Sequence, residues 1–471
     1  MESHIPVKKK IFATNLLFAL TAQGVSYLTS ALTSLVVPKL LGVEQFGYWQ
    51  LFLLYASYAG IADLGIGEGV YLRYGGCLRD QVDRKTLSVQ YKIYASLQAI
   101  FAVVLFAFAF QVESHDRAFV VGCTSIYLLI VNLSSYMYYL MQAINETKKF
   151  STAIIFSKIA FVVALVPMLL FKVSSFKLYL IMYDIAQIFA LIYCIICCKD
   201  LIFCSCHLDS YGFNEVINSS RVGYKLLIAN LTSTLLVGIL RMMVDSRWDI
   251  KTFGQLSLAI TLCNFFMQCV YQFSMVLFPA LRQLDDGGRG SFYKAAQTVL
   301  NTILPIIFIA YYPIAMFIHY WLPEYNSVVY YFAMLLPLCI FDGRMDILGN
   351  TFLKVIRKET LLMIINVSSV LVGTTALAIA IFVFGSINCA IWILVAVVFL
   401  RCFVTELYVS RQLCIRNHIR LWTSLFVSMI FVISSSWGIS LISLCVTAIA
   451  NLLAIAVNIE DFKAAFKFIR S

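Results

Sequence analysis

Charge is scarce in this chain. Asp, Glu, Lys and Arg make up 13% of its 471 residues, roughly half the share found in soluble globular domains. With 61% of the residues hydrophobic, a normal water-facing surface cannot be built. Long polar loops are also missing on one side of the apolar segments, where the connections are only about 38–44, 111–117, 172–175, 245–251, 319–326 and 385–386. None of them carries a paired-carboxylate motif, a Ser/His/Asp set or metal-ligand spacing, and His115 and His319 are isolated. A membrane enzyme acting on lipid-linked sugars needs such groups on a substantial external loop, so the chain reads as a non-enzyme without cofactor or bound metal. No phosphate-binding glycine loop is present, which excludes ATP-driven work within this chain. The N-terminus has no signal-peptide cleavage pattern, and Met1–Lys10 reads as a short cytoplasmic tail.

What the chain has instead is a succession of apolar stretches, each about 18 to 28 residues long. Crossing a bilayer takes about 20 apolar residues in a helix. The spans read 11–37, 45–72, 86–110, 118–142, 150–171, 176–198, 218–244, 252–280, 292–318, 327–350, 359–384 and 387–411. A last region, 421–458, is too long for one span, and Ser434-Ser435-Ser436-Trp437-Gly438 near its middle predicts two short ones. The fold class is therefore an all-α polytopic membrane protein of about 14 transmembrane helices. Basic residues fall at every second junction: one side holds 28 of the 35 Lys and Arg, the other only Lys39, Arg117, Lys172, Lys177, Arg241, Arg247 and Lys251. Basic loops stay in the cytoplasm, which places both termini there. The net charge of +11 then faces anionic lipid, not nucleic acid. At least ten of the fourteen cysteines lie in apolar spans, where Cys acts as a small hydrophobe. Cys194, Cys197, Cys198, Cys204, Cys206 and His207 cluster at the end of the sixth span without a second CxxC knuckle, so they read as reduced structural thiols.

The two halves share a register. Phe46-Gly47 and Phe253-Gly254 are 207 residues apart, and the same shift carries each later span start of the first half to within a few residues of one in the second. Six spans per half is an even number, so the halves are parallel repeats. This divides the chain into a six-helix lobe at 1–198, a cytoplasmic connector at 199–217, a second six-helix lobe at 218–412, and two extra helices with a tail at 413–471. Such repeats predict a V-shaped alternating-access transporter with substrate at the repeat interface. Polar residues mark its walls. Gln23, Ser26, Ser30 and Ser34 share a face of span 1; Asn230, Thr234, Gly238, Arg241 and Asp245 share one of span 7; Ser257, Thr261, Asn264, Gln268 and Gln272 share one of span 8. Side chains of this kind also glue helices together. Aligned on repeat-equivalent helices, they predict a wet cavity.

Ionisable residues within spans are candidate functional groups. Lys158, Arg241 and Arg344 would suit an anionic substrate, since Lys and Arg pair with phosphate; Asn230, Gln23 and Gln268 would line the same path. Arg241 lies on the sparse side, 16 residues past Lys225, where snorkelling to the interface is the plainer alternative. Asp63, Asp342 and Asp346 would serve as charge partners or as a proton or Na⁺ site. Glu68, Asp184, Arg401 and Glu406 are further intramembrane charges.

Pro38-Lys39-Leu40-Leu41-Gly42-Val43-Glu44-Gln45-Phe46-Gly47-Tyr48-Trp49, running on to Asp63-Leu64-Gly65-Ile66, resembles the opening of bacterial polysaccharide exporters. Phe253-Gly254-Gln255-Leu256-Ser257-Leu258 and Leu277-Phe278-Pro279-Ala280-Leu281-Arg282 are similar to further stretches of that group. The family is the O-antigen (Wzx-type) flippases of the multidrug/oligosaccharidyl-lipid/polysaccharide exporter superfamily. The resemblance implies flipping of an undecaprenyl-diphosphate-linked oligosaccharide across the bacterial inner membrane, for lipopolysaccharide or other surface polysaccharide. It also implies coupling to a proton or Na⁺ gradient, and polysaccharide polymerase and chain-length proteins as partners. A drug/cation antiporter of the same superfamily and a lipid-linked peptidoglycan-precursor flippase remain as alternatives.

Overall fold

The computed structural model describes residues 5–204, 210–283, 286–413, 415 and 419–457, with the backbone alone at 5–17, 19–20, 210–211, 229–230, 233 and a few positions within 272–287 and at 419–420 and 457. All regular structure among them is helical. The chain forms two compact units, Met1–Leu231 and Thr232–Ser471.

The first unit contains α1 (Ile5–Ser57), α2 (Ile66–Tyr74), α3 (Arg84–Ala109), α4 (His115–Ala143), α5 (Thr147–Leu170) and α6 (Phe176–Ile202). Where a loop was expected near 38–44, α1 instead runs through with a single break at Gly42, φ 68° and ψ 173°. That region of dihedral space is open only to a residue without Cβ, so one glycine replaces a turn. The expected second span, 45–72, is likewise interrupted: α1 gives way at Ser57 to a tight turn over Ala59–Asp63 before α2 begins. At the head of α3, Asp83 accepts hydrogen bonds from the N–H groups of Lys85 at 3.0 Å and Thr86 at 3.4 Å. These bonds satisfy donors that the first helical turn leaves open; the Thr86 hydroxyl, donating to Asp83 at 2.6 Å, does most to hold the carboxyl below the usual carboxylate range, and the two N–H groups add to it.

Helix α7 (Ser210–Arg247) crosses the unit boundary, which lies at 231/232. Of the expected connector, 199–202 completes α6 and 210–217 opens α7, while 205–209, with Cys206 and His207, lies outside the described residues. The second unit continues with α8 (Ile250–Gln283), α9 (Asp286–Ile303), α10 (Ile307–Trp321), α11 (Asn326–Arg344), α12 (Thr351–Val355), α13 (Glu359–Ala378) and α14 (Ile387–Gln412). Between α11 and α12 the chain makes a π-helical turn, Met345–Asn350. The last apolar region is two helices, α15 (Ile419–Ser435) and α16 (Leu441–Val457), parted at Gly438 with φ 85°.

Ten helical segments are long and apolar enough to cross a membrane. The fourteen expected spans are these ten with the first divided at Gly42, together with α7 and the two C-terminal helices of 17 residues each. This is a multi-pass membrane protein. The same packing recurs in each unit: α4 packs on α3, α6 and α1, while α11 packs on α10, α14 and α8; α5 pairs with α6 as α13 does with α14. The turns repeat too. Asn145 (φ 61°) follows α4 as Arg357 (φ 56°) follows α12, and Lys172 (φ 48°) follows α5 as Gly385 (φ 60°) follows the α13 segment. Those pairs are 212 and 213 residues apart, so the register of 207 slips along the lobe. The turn Met345–Asn350 lies within the interval of slippage, and a second π-helical turn, Ile379–Val383, precedes Gly385. Wider i→i+5 turns absorb extra residues without ending the helix.

Candidate functional site

The polar core of the first unit is built where α1 ends. Leu64 (φ 55°) and Gly65 (φ 76°) both take the left-handed conformation and turn the chain into α2. A Cβ at Gly65 would lie 2.6 Å from the backbone nitrogen of Tyr224, and one at Gly69 would lie 2.0 Å from the carbonyl oxygen of Ser219. Gly223 in turn leaves a Cβ only 1.9 Å from the Gly65 carbonyl. Gly65 and Gly69, four apart on α2, thus meet Ser219 and Gly223, four apart on α7, backbone against backbone. Asp63 sits beside this crossing, 4% exposed. Its carboxylate accepts the Tyr94 hydroxyl and, at 2.9 Å, the Gly67 N–H. Asn132 donates to Gln98 Oε1 at 2.8 Å and to the Ala59 carbonyl at 3.0 Å; Gln98 donates to the Ala62 carbonyl at 2.8 Å. The Tyr139 hydroxyl donates to Glu68 at 3.1 Å. Arg73 closes the crossing: it pairs with Glu215 of α7 at 2.5 Å and donates to Ser219 Oγ at 3.0 Å, which also receives Gln90 Nε2 at 2.8 Å.

Lys158 is half-buried on α5, 11 residues beyond Thr147, hence about 16 Å along a helix of 24 residues. It is deeper than its place in the sequence-derived span 150–171 implied, and it has no ion-pair partner among the described residues. Gln23 is exposed on the first part of α1.

In the second unit Arg241 is half-buried on α7. Its Nε donates to Ser257 Oγ at 3.1 Å and its guanidinium lies 5.5 Å from the centre of the Phe253 ring. Phe253 and Ser257 stand one turn apart on α8. Gln268 is half-buried on the same helix, and the side chain of Asn230 lies outside the described set. Asp346 accepts Asn350 Nδ2 at 3.1 Å.

Two of the candidates are engaged in ion pairs of the second unit. Arg344 was expected to meet substrate, but its side chain is 0% exposed and turned into the protein. Its Nε and Nη2 donate to the two oxygens of Glu406 at 2.8 and 2.9 Å, and Nη1 reaches Asn301 Oδ1 at 3.5 Å and Ser424 Oγ at 3.4 Å. No donor is left facing a cavity. Asp342, considered as a partner for a substrate-site cation or as an ion site, pairs with Arg401 and accepts the Tyr271 hydroxyl at 3.2 Å. The sequence marks Arg401 and Glu406 as intramembrane charges without assigning them partners. The usable signal was that α11 and α14 carry opposite charges in complementary order, Asp342/Arg344 against Arg401/Glu406.

Neither a protein-family model nor a curated protein matches the sequence. Solved structures do match. The chain superimposes on a lipid II flippase MurJ in an inward closed conformation with TM-score 0.62 and 11% identity, over 95% of this chain and 99% of that one. An outward-facing multidrug resistance MATE family transporter of the MOP superfamily gives 0.53 at 11% identity, over 86% and 96%. The MATE transporter ClbM in complex with Rb⁺ gives 0.51 at 13% identity, over 88% and 96%. The fold is that of these transporters.

Proposed function

We propose that the chain is a flippase that moves an undecaprenyl-diphosphate-linked oligosaccharide across the bacterial inner membrane for surface polysaccharide synthesis, driven by an ion gradient. It does so with both termini in the cytoplasm and without catalysis. The observation that carries this reading is the extent of likeness to the lipid II flippase. That likeness takes in 95% of the chain, against 86% and 88% for the two transporters above. The difference is about the size of the C-terminal helix pair, which the Arg344–Glu406–Asn301–Ser424 network ties to the second unit. Lys158 and Arg241 are the cations we assign to the diphosphate. Lys158 is the more telling of the two, because a lysine at mid-span without a counter-charge is costly unless it has a polar or anionic ligand to meet. Gln23, Asn230 and Gln268 are assigned to the sugar path, and Asp346 to the ion-coupling set. Asp342 is left as the partner of Arg401. Polymerase and chain-length proteins would act on the product.

Two readings compete: the lipid II flippase likeness is equally compatible with a peptidoglycan-precursor substrate, against which only the sequence resemblance to polysaccharide exporters speaks, and the MATE likeness is compatible with a drug or cation. Deletion of the gene followed by lipid extraction separates them. Accumulation of undecaprenyl-linked repeat units supports the proposal, accumulation of the peptidoglycan precursor supports the first alternative, and an unchanged pool with raised drug sensitivity supports the second. Lys158→Ala and Arg241→Ala are each expected to abolish polysaccharide display at wild-type protein abundance. Normal display in both variants would refute the assignment.

A further inference from the structure

Three buried carboxyl groups of the first unit, Asp63, Glu68 and Asp184, have no lysine or arginine within ion-pair distance among the described residues. Two of them are met by donors: Asp63 by Tyr94 and Gly67, Glu68 by Tyr139. Asp184 is met by none. Its side chain is 5% exposed, and its Oδ1 is fully enclosed without a hydrogen-bond partner among the described residues. It lies on α6 eight residues beyond Phe176, about 12 Å along the axis, so neither helix end brings it to water. The titratable groups that face it are the Cys123 thiol and the Tyr127 phenol of α4. From α1, α3 and α5, which also pack on α6, no charged side chain reaches it, Lys158 included.

An ionised carboxylate with neither donor nor counter-charge is costly in a protein interior, by several kcal/mol even after relaxation. Two escapes exist, a proton or a bound cation. A hard cation such as Na⁺ requires a shell of oxygen ligands. Here the titratable groups beside it are a thiol and a single phenol, neither of them a second carboxylate, and the Tyr127 ring is itself packed 5.6 Å from Phe52 and 5.9 Å from Tyr183. A proton needs neither ligands nor room. We infer that Asp184 is a proton-binding site of the first unit, held as the neutral acid while α4 and α6 pack as they do here. Release requires water or another acceptor to reach the carboxyl, and the enclosed Oδ1 has no such partner among the described residues. That this proton couples translocation to a gradient rests on the proposed transport function; the binding itself does not.

Infrared difference spectroscopy of the purified full-length protein at pH 7 tests the site, since a free aspartate is ionised there. The wild type should show a protonated-carboxyl C=O band that shifts in D₂O. Asp184→Asn, which keeps the shape of the neutral acid, should remove one carboxyl's share of that band while leaving thermal stability unchanged. Should that variant fail to fold, Cys123→Ser must shift the frequency of the same band by adding a hydroxyl beside it. Absence of the band from the wild type, or its survival unchanged in both variants, overturns the assignment. So does loss of the band when choline chloride is replaced by sodium chloride, which would identify a Na⁺ site. If the band behaves as expected while gene deletion leaves the lipid pool unchanged, the proton site stands and the flippase reading alone falls.

Discussion

At the scale of single residues, Arg344 in the second unit and Lys158 in the first separate a charge held for structure from one left for a ligand. The guanidinium of Arg344 is spent on both oxygens of Glu406 and on Asn301 and Ser424. Removing one partner of such a buried pair strands the other, a loss of about 3–5 kcal/mol, whereas replacing both with apolar residues of similar volume is often close to neutral. Arg344→Ala and Glu406→Ala should therefore each lower the melting temperature sharply, and Arg344→Met/Glu406→Leu should recover most of it. Thermal unfolding in detergent, followed by size-exclusion chromatography, measures this. A double variant no more stable than the singles would mean that Arg344 has a role besides pairing. Lys158 should behave in the opposite way: with no partner to strand, Lys158→Ala should leave stability unchanged even where function is lost.

At the scale of elements, the contact between α2 and α7 depends on glycine because the two backbones touch. A methyl group at Gly69 or Gly223 has backbone atoms as near as 2.0 and 1.9 Å, and backbone cannot rotate away as a side chain can. Gly69→Ala and Gly223→Ala should each cost about 1–3 kcal/mol or more through overpacking and should break the Arg73–Glu215 pair that lies beside them. Gly24, on α1, has no neighbour within 4 Å, so Gly24→Ala should stay within about 0.5 kcal/mol of wild type. Equal melting temperatures for the three variants would contradict the close crossing. The sequence shows the glycine-rich run 65–69 but not its partner. Ser219 and Gly223 look unremarkable in a weakly apolar stretch, and only the crossing reveals why they are small.

At the scale of the whole molecule, the uneven sorting of basic residues carries a topology that can be tested without knowing the substrate. With 28 of 35 basic residues on one side, a fluorescent protein at the C-terminus should fold in the cytoplasm and fluoresce. A phosphatase fused within 111–114 should be active outside, and one fused after Lys149 should be silent. The reverse pattern would overturn the positive-inside assignment.

Much of the architecture was therefore fixed before folding. Span number, the two-fold repeat and the paired C-terminal helices follow from apolar length and charge spacing, because a bilayer imposes one length scale and one rule for positive charge. Those are one-dimensional constraints, and a one-dimensional string records them. The roles of the charges inside the spans were not recorded in that way. Arg344, Arg401, Asp342 and Glu406 became two ion pairs, Asp63 became the acceptor of the Tyr94 hydroxyl, and Lys158 and Asp184 were left without counter-charges. Each outcome depends on which side chain stands across from it on another helix, at separations of 31 to 62 residues in the chain for the pairs described. Coulomb and hydrogen-bond energies act over a few ångströms. Only the tertiary structure brings such residues that close.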